Sequence, residues 1–337
     1  MSGARRIPGR LLLAAGLALA CAAALILVVG DEDGRGAPPE RRGAGWGSLA
    51  PSIFERTEVA AARIGDRIYV VGGFIVRGGT TGKMARYDIS TDRWKRMLKL
   101  PIEVNHTAVT ALRGKLYVLG GFWRDRRPDG HSPRLYRFSP EQKRWLRLPD
   151  APTARGALAL VGKGRKLYAA GGASKHNSEV RKLEIFNLRR ERWRRGPRMP
   201  TGRNHVGAAL AGGRIYVTGG RPGPVNGGLT TVESYSIAGR EWRAEPPLDV
   251  ARSGHAAAAV GDQIVVFGGE ELGAGGETIE EVELFDPAGG EWSPLPEMIT
   301  PRHGLGGVSK GSRVFALEGG PQPGLRYSRA LEFLDVP

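Results

Sequence analysis

Arginine recurs at one position of this sequence, sixteen residues before the first glycine of a repeated Gly-Gly pair, or seventeen in the last copy. Val104 takes the position in the second copy, and the other copies carry Arg56, Arg155, Arg203, Arg252 and Arg302. A guanidinium binds a carboxylate or phosphate through two parallel hydrogen bonds. Five guanidiniums around one opening repel each other unless anions lie among them. The pattern therefore predicts either an anionic ligand or a structural belt with the recurring glutamates Glu184, Glu233, Glu283 and Glu332.

Histidine follows a weaker register. His106, His205 and His255 lie 13 or 14 residues before their glycines, and His303 directly follows Arg302. Imidazoles from several repeats could bind a metal ion, but a histidine at the start of a strand can equally hydrogen-bond a neighbouring loop. We therefore predict no metal site and no cofactor. Since Gly-x-Ser-x-Gly, His-Glu-x-x-His and Cys-x-x-Cys motifs are absent from the sequence, we also predict a binding module rather than an enzyme.

One loop combines aromatic and basic side chains. Phe122-Trp123-Arg124-Asp125-Arg126-Arg127 follows the second Gly-Gly pair. Tryptophan and arginine are enriched at the energetic centres of interfaces, so Trp123 is a candidate ligand contact. The alternative is that the loop folds onto its own repeat.

The elements that position these residues are repeated. Six Gly-Gly pairs recur every 48 to 51 residues, each closing an apolar run such as Arg67-Ile-Tyr-Val-Val-Gly-Gly73. A tryptophan follows five pairs 21 to 24 residues later, at Trp94, Trp145, Trp193, Trp242 and Trp292. Each unit reads as four short strands, and the first strand is almost all Ala, Gly and Val, as in His255-Ala-Ala-Ala-Ala-Val260. Such a run suits the innermost strand of a propeller blade, so the period predicts an all-β fold of six blades.

The repeated word, from Pro/Ala-Arg through Ile-Tyr-Val-x-Gly-Gly and Val-Glu-x-Tyr-Asp to Trp and Leu-Pro, resembles the kelch-repeat family over about residues 46–337. The resemblance implies a six-bladed kelch β-propeller, related by fold to the central domain of galactose oxidase. It also implies that the five arginines lie on the ligand-contacting face. An enzymatic alternative is similarity to bacterial sialic acid mutarotases, in which Arg would bind the sugar carboxylate and Glu or His would transfer a proton. The cysteine-crosslinked copper cofactor of galactose oxidase cannot form, because Cys21 is the only cysteine.

The sixth repeat departs from the others. It carries one extra residue before its glycines and lacks a tryptophan strand. Trp46-Gly-Ser-Leu-Ala-Pro51 resembles the end of a repeat, Trp292-Ser-Pro-Leu-Pro296, while the chain stops after Leu331-Glu-Phe-Leu-Asp335. We expect this N-terminal strand to complete the last blade and remove the exposed strand edge, so that residues 46–337 form one domain.

The N-terminal segment has a different composition. Residues 11–30 carry no charge, follow Arg5, Arg6 and Arg10, and precede Asp31-Glu32-Asp33. Twenty uncharged, mostly apolar residues span a bilayer as a helix, and flanking arginines stay cytoplasmic. We predict a cytoplasmic segment at 1–10, a transmembrane signal-anchor helix at 11–30, a flexible linker at 31–45 and an extracytoplasmic propeller. Cleavage as a signal peptide and lipidation at Cys21 are alternatives.

The net charge of +16 is carried mostly by arginine. Such an excess favours an anionic partner, although scattered surface charge can also bind nothing in particular. Nucleic acid is not expected outside the membrane. We predict an acidic peptide or protein, or an anionic glycan, as the partner, and the membrane as the second contact through residues 11–30.

Overall fold

The computed structural model describes residues 45–76, 79–123, 130–175, 180–223, 227–272 and 276–337. The predicted membrane segment, residues 11–30, lies outside these ranges, as does all of the predicted linker except Gly45. Within the described ranges, no helix is long and apolar enough to cross a bilayer.

The described residues form six four-stranded antiparallel sheets, which we number as blades 1 to 6. From the innermost to the outermost strand, blade 1 comprises Ala60–Ile64, Arg67–Val71, Met84–Asp88 and Arg93–Arg96; blade 2, Ala108–Leu112, Lys115–Leu119, Leu135–Ser139 and Arg144–Leu148; and blade 3, Ala159–Lys163, Lys166–Ala170, Leu183–Asn187 and Arg192–Arg195. Blade 4 comprises Gly207–Ala211, Arg214–Thr218, Val232–Ser236 and Glu241–Glu245; blade 5, Ala256–Val260, Gln263–Phe267, Val282–Asp286 and Glu291–Leu295; and blade 6, Gly306–Lys310, Arg313–Leu317, Leu331–Asp335 and Gly47–Ser48.

Two small sheets lie in the loops. Arg56–Thr57 pairs with Phe74–Ile75, which pairs with Gly79–Thr80. Glu270–Glu271 pairs with Glu277–Thr278.

The blades form a closed ring. Each innermost strand packs beside that of the next blade, and the innermost strand of blade 6 packs beside that of blade 1. Small side chains make this approach possible: a Cβ added to Gly307 would lie within 3.0 Å of Phe267. Buried Tyr, Phe, Leu and Val side chains fill the space between neighbouring blades. The architecture is the all-β propeller that the repeat period predicts.

The glycine pairs end the second strands in a conformation that favours glycine. Gly72 and Gly73 have φ of 71° and 96°, and a Cβ on Gly72 would lie 2.6 Å from the carbonyl oxygen of Val104. In blade 6, Glu318 takes the first glycine position with φ of 56°, and Gly319 takes the second. The amide of Gly319 accordingly donates to the Arg56 carbonyl, as Gly73 donates to Val104. The predicted extra residue before the glycines is therefore a shifted register, because a glutamate stands in a glycine position.

Tryptophan side chains join each blade to the one before it. Every outer-strand indole N–H donates to a main-chain carbonyl of the preceding blade, always four residues after that blade's own tryptophan. The six bonds are Trp46 to Pro296 (2.8 Å), Trp94 to Ala50 (2.7 Å), Trp145 to Leu98 (3.2 Å), Trp193 to Pro149 (2.9 Å), Trp242 to Pro197 (3.1 Å) and Trp292 to Pro246 (2.9 Å). Gly47 and Ser48 pair with Phe333 and Glu332. The N-terminal strand thus occupies the same position in blade 6 as the other tryptophan strands do in theirs.

Trp46→Ala should destabilise the protein by about 3–5 kcal/mol, because it removes a buried aromatic side chain that contacts Phe267 and one of these six bonds. Chemical denaturation of the full chain measures the loss. Deletion of residues 31–45 is the control and should leave the midpoint unchanged. Equal midpoints for Trp46→Ala and the intact chain would show that the ring does not depend on this strand.

Candidate functional site at the channel mouth

The five recurring arginines are buried, each with an exposed fraction of 0 or 1%. Each guanidinium contacts one carboxylate: Arg56 with Glu318 (2.8 Å), Arg155 with Glu184 (2.7 Å), Arg203 with Glu233 (2.5 Å), Arg252 with Glu283 (2.7 Å) and Arg302 with Glu332 (2.7 Å). We call these pairs the Arg–Glu belt. In four of the pairs, the arginine and the glutamate belong to the same blade, one pair in each of blades 3 to 6.

The fifth pair closes the belt between blades 6 and 1. Blade 1 has Ala85 in the third-strand position that carries glutamate in blades 3 to 6, and Glu318 supplies the missing carboxylate from the neighbouring blade. Arg302 in turn donates to the main-chain carbonyl of Glu318 at 2.9 Å. Arg56 also donates to the carbonyls of Gly72 and Lys83. The guanidiniums therefore satisfy main-chain carbonyls where the second strands end, as well as the glutamates.

This burial favours the structural alternative for the arginines. A ligand cannot reach a guanidinium that protein atoms cover completely, and removing one partner of a buried pair is costly. Contact of Arg56, Arg155, Arg203, Arg252 or Arg302 with a ligand stays a prediction.

The six innermost strands line a central channel. A second ring of residues lies at its mouth, two residues after the recurring arginine position of each repeat. Its six members all have left-handed φ angles: Glu58 (53°), His106 (49°), Ala157 (53°), His205 (53°), Gly254 (63°) and Gly304 (59°). We call it the channel-mouth ring. From His106 to Gly304, each member donates its amide to the carbonyl of the preceding member at 2.8–3.2 Å, and Val59 closes the ring by donating to Gly304 at 3.1 Å.

Left-handed backbone disfavours residues other than glycine by roughly 1–2 kcal/mol each. Gly254 and Gly304 show that glycine fits the ring, yet four members carry side chains. Backbone strain of this kind clusters at functional sites. The channel-mouth ring is therefore a candidate functional site.

Six polar side chains meet beside the ring, and we call them the axial cluster: Glu58, His106, His205, Arg221, Glu270 and His303. Glu58 lies 3.1 Å from Nε2 of His106 and 3.2 Å from Nδ1 of His303. Arg221 lies 2.9 Å from Nε2 of His205 and 3.0 Å from Glu270, which is 3.4 Å from Nδ1 of His303. The rings of His106 and His205 meet edge to face at 4.8 Å. Glu58, His106 and His205 line a cavity of about 90 Å³.

The cluster separates charged from neutral groups. Burial opposes ionisation of Glu58, but His106 and His303 outweigh it and keep the pKa of Glu58 below its ordinary value. Burial also disfavours the charged form of His303, yet Glu58 and Glu270 raise its pKa. Burial lowers the pKa of His106 and of His205, with help at His205 from His106 and Arg221. The cluster therefore favours an ionised Glu58, and burial disfavours the charged forms of His106 and His205, while Glu58 and Glu270 favour the charged form of His303.

The loop that contains Trp123 folds back onto the propeller where it is described. Residues 124–129, including three of its arginines, lie outside the described ranges. The Trp123 ring lies 4.2 Å under the Arg134 guanidinium, and Phe122 packs between His106 and His131 at 5.0 Å from each. Phe122 therefore supports the axial cluster, and the contact of Trp123 with a ligand stays a prediction.

A larger cavity of about 450 Å³ lies at blades 2 and 3, on the face of the loops that follow the glycine pairs. Its basic lining residues are His131, Lys175, Arg181, Lys182 and Arg198. The Nε of Arg181 donates to the Met199 carbonyl at 2.9 Å, and Nζ of Lys182 donates to Thr153 at 2.8 Å. No Asp or Glu lines the described part of this cavity.

Comparison with known proteins identifies the repeat. The kelch motif matches five segments, residues 55–97, 105–152, 154–200, 202–248 and 251–299. The chain belongs to the kelch-repeat family. The sixth blade, which the chain completes from both ends, falls outside the matched segments.

A solved structure, that of YjhT, resembles this kelch protein with a TM-score of 0.74. The similarity covers 84% of this chain and 95% of YjhT at 14% sequence identity, which supports the shared fold alone. None of the curated proteins matches the sequence significantly.

Sequence reasoning did not identify Glu58, Arg221 or Glu270. A signal for Glu58 exists, since it lies two residues after Arg56, as His205 lies two residues after Arg203. Arg221 and Glu270 directly follow the second glycine of their pairs. These residues come from different blades and meet only because the blades pack around the axis. The repeat period describes one blade at a time and does not predict such contacts.

Arg203→Met should lower the stability of this kelch protein by about 3–5 kcal/mol, because Glu233 stays buried without its partner. Replacing both residues, with Arg203→Met and Glu233→Leu, should recover much of the loss, because no charge is then left in the core. Urea denaturation compares the variants. A single variant with full stability and weakened binding of an acidic ligand would instead assign Arg203 to ligand contact.

Stability should also fall on acidification. Burial, with Arg252 and Arg203, lowers the pKa of His255 to about 3. Below about pH 6.5 the unfolded chain takes up a proton that the folded chain does not, so this histidine should cost up to about 2 kcal/mol between pH 6.5 and 5. His255→Gln should flatten the dependence of unfolding free energy on pH in this window. Identical slopes would rule out a buried neutral His255.

Proposed function

We propose that this kelch protein is a noncatalytic binding module that takes a carboxylate-bearing ligand in the basic cavity of blades 2 and 3. The ligand would be presented by an acidic peptide, a protein or an anionic glycan. The observation that carries the proposal is a cavity with five basic lining residues and no acidic residue in its described lining.

The distribution of charge along the chain supports this location. Residues 154–200, which contain blade 3, hold thirteen Lys and Arg against three Asp and Glu. Residues 251–299, which contain blade 5, hold one Arg against ten Asp and Glu. Residues 105–152, which contain blade 2, hold ten Lys and Arg against four Asp and Glu. Blade 2 lies opposite blade 5 in the six-membered ring, so the propeller has a basic and an acidic side. Such a field would steer an anionic ligand toward blades 2 and 3 and away from blade 5.

The geometry of the cavity supports the same ligand class. A volume of about 450 Å³ lies within the range of roughly 300–1,000 Å³ that small-molecule sites occupy. Lys175, Arg181, Lys182 and Arg198 are exposed, in contrast to the Arg–Glu belt. The contact of Arg181 with the Met199 carbonyl fixes one edge of its guanidinium and thereby reduces the entropy lost on binding.

An enzyme resembling a sialic acid mutarotase remains the alternative, and its support is the axial cluster, in which Arg221 contacts His205 and Glu270 while Glu58 contacts His106 and His303. The cavity beside these residues, about 90 Å³, is well below the usual size of a small-molecule site. The exchange of sialic acid anomers, followed by NMR with added protein, tests the alternative. Catalysed exchange that Glu58→Gln abolishes would replace our proposal.

We also propose that residues 11–30 anchor the protein in the membrane, with the propeller on the extracytoplasmic side. The support is the uncharged run preceded by Arg5, Arg6 and Arg10. A linker of fifteen residues would then hold the module within a few tens of ångströms of the bilayer. The ligand would be at or near the cell surface.

Arg181→Glu combined with Lys182→Glu should weaken binding of an acidic peptide or a uronate oligosaccharide at least tenfold, because two charge-assisted contacts become repulsive. Titration calorimetry at low and high salt measures the affinities. The control is Arg192→Glu combined with Arg194→Glu, which changes the charge of the same blade equally on its outermost strand. Equal weakening by both pairs would show general electrostatic attraction without a site in the cavity.

A further inference from the structure

The sequence alone predicts no metal site, but the structure brings Glu58, His106 and His205 together, and we propose that they bind one divalent transition-metal ion, such as Zn²⁺, at the channel mouth. Their potential ligand atoms all lie within 4.8 Å of one another. Ligand atoms that share a tetrahedral ion lie roughly 3.4 Å apart, given metal–ligand distances of about 2.0–2.2 Å. Small side-chain rotations would bring the three into range.

Hydrogen bonds of Nδ1 leave Nε2 of both histidines as the nitrogen that can bind a metal ion. Nδ1 of His106 lies 2.5 Å from Oδ1 of Asn105, and Nδ1 of His205 contacts Oδ1 of Asn204. An amide oxygen only accepts hydrogen bonds, so Nδ1 carries a proton in both rings and Nε2 is the nitrogen that is left to bind a metal ion. Metal-ligating histidines typically donate their other ring N–H in this way.

The asparagines are themselves oriented. Nδ2 of Asn204 donates to the Gly223 carbonyl at 3.4 Å, and Nδ2 of Asn105 donates to Thr80 at 2.9 Å. Each amide oxygen is thereby directed at its histidine. The same Asn-His dipeptide supplies this arrangement in blades 2 and 4.

The three proposed ligands occupy backbone conformations that residues other than glycine rarely adopt. Glu58, His106 and His205 have left-handed φ in a ring where Gly254 and Gly304 fit without strain. Three protein ligands leave positions for water or a substrate atom, as in catalytic zinc sites. The cavity of about 90 Å³ has room for an ion and a small number of waters, at about 30 Å³ for each water.

One cation already competes for the site. Arg221 donates to Nε2 of His205 at 2.9 Å, and its other terminal nitrogen contacts Glu270 at 3.0 Å. A metal would take the Nε2 lone pair, while Arg221 would keep Glu270. This competition predicts that removing the guanidinium strengthens metal binding, whereas it would weaken binding of a carboxylate.

The test uses the full chain without a histidine tag, stripped with chelator and titrated with Zn²⁺ or Co²⁺. We expect one ion per chain and a visible Co²⁺ spectrum of four-coordinate nitrogen and oxygen ligands. His106→Gly and His205→Gly should weaken binding at least tenfold, and Asn105→Ala by about 10- to 100-fold. Ala157→Gly is the matched control, because it makes the same backbone change in the same ring without removing a ligand. Arg221→Ala should bind more tightly than the native chain.

Failure of both the native chain and Arg221→Ala to bind either ion would overturn the proposal. So would equal affinities for the native chain, His106→Gly and His205→Gly, since the ion would then lie elsewhere. Thermal unfolding without metal checks that each variant is folded.

Discussion

The structure depends on one constraint: six strands must start around a common axis, and the main chain must turn there into a left-handed conformation. The channel-mouth ring meets this constraint with hydrogen bonds between successive blades. All six ring residues line the same small cavity, and the side chains of Glu58, His106 and His205 come together there. The axial cluster is a consequence of closing the ring.

Two other sets of repeated contacts stabilise the propeller further from the axis. The Arg–Glu belt satisfies main-chain carbonyls at the ends of the second strands, and the tryptophan bonds join the outer strands of adjacent blades. Both are built from residues that recur from blade to blade, which favours a structural role for them. The residues that break the repeat, namely the histidines of the channel mouth and the basic residues of blade 3, are the ones our functional proposals use.

The repeat predicted the kelch propeller because its period, glycines and tryptophans are properties of a single blade. The similarity of Trp46–Pro51 to Trp292–Pro296 is enough to place a strand that the structure pairs with Leu331–Asp335. The glycine pair of blade 6 is shifted by one residue relative to the other blades, because Glu318 adopts a conformation that the repeat pattern assigns to glycine. The exposure of the five arginines could not be read from their spacing, since burial depends on the loops that cover them. Arg221 of blade 4 contacts Glu270 of blade 5, and a pattern within one blade does not predict a contact between two blades.

The channel-mouth ring should hold His106 and His205 with Nδ1 protonated toward the neighbouring asparagine oxygens and with Nε2 of His205 accepting from Arg221. Nitrogen chemical shifts of the two imidazoles, from long-range ¹H–¹⁵N NMR of the labelled full chain at pH 7, test it most directly. We expect a protonated Nδ1 in both residues and an unprotonated Nε2 in His205. An unprotonated Nδ1 in either ring, or a proton on Nε2 of His205, would rule out this arrangement.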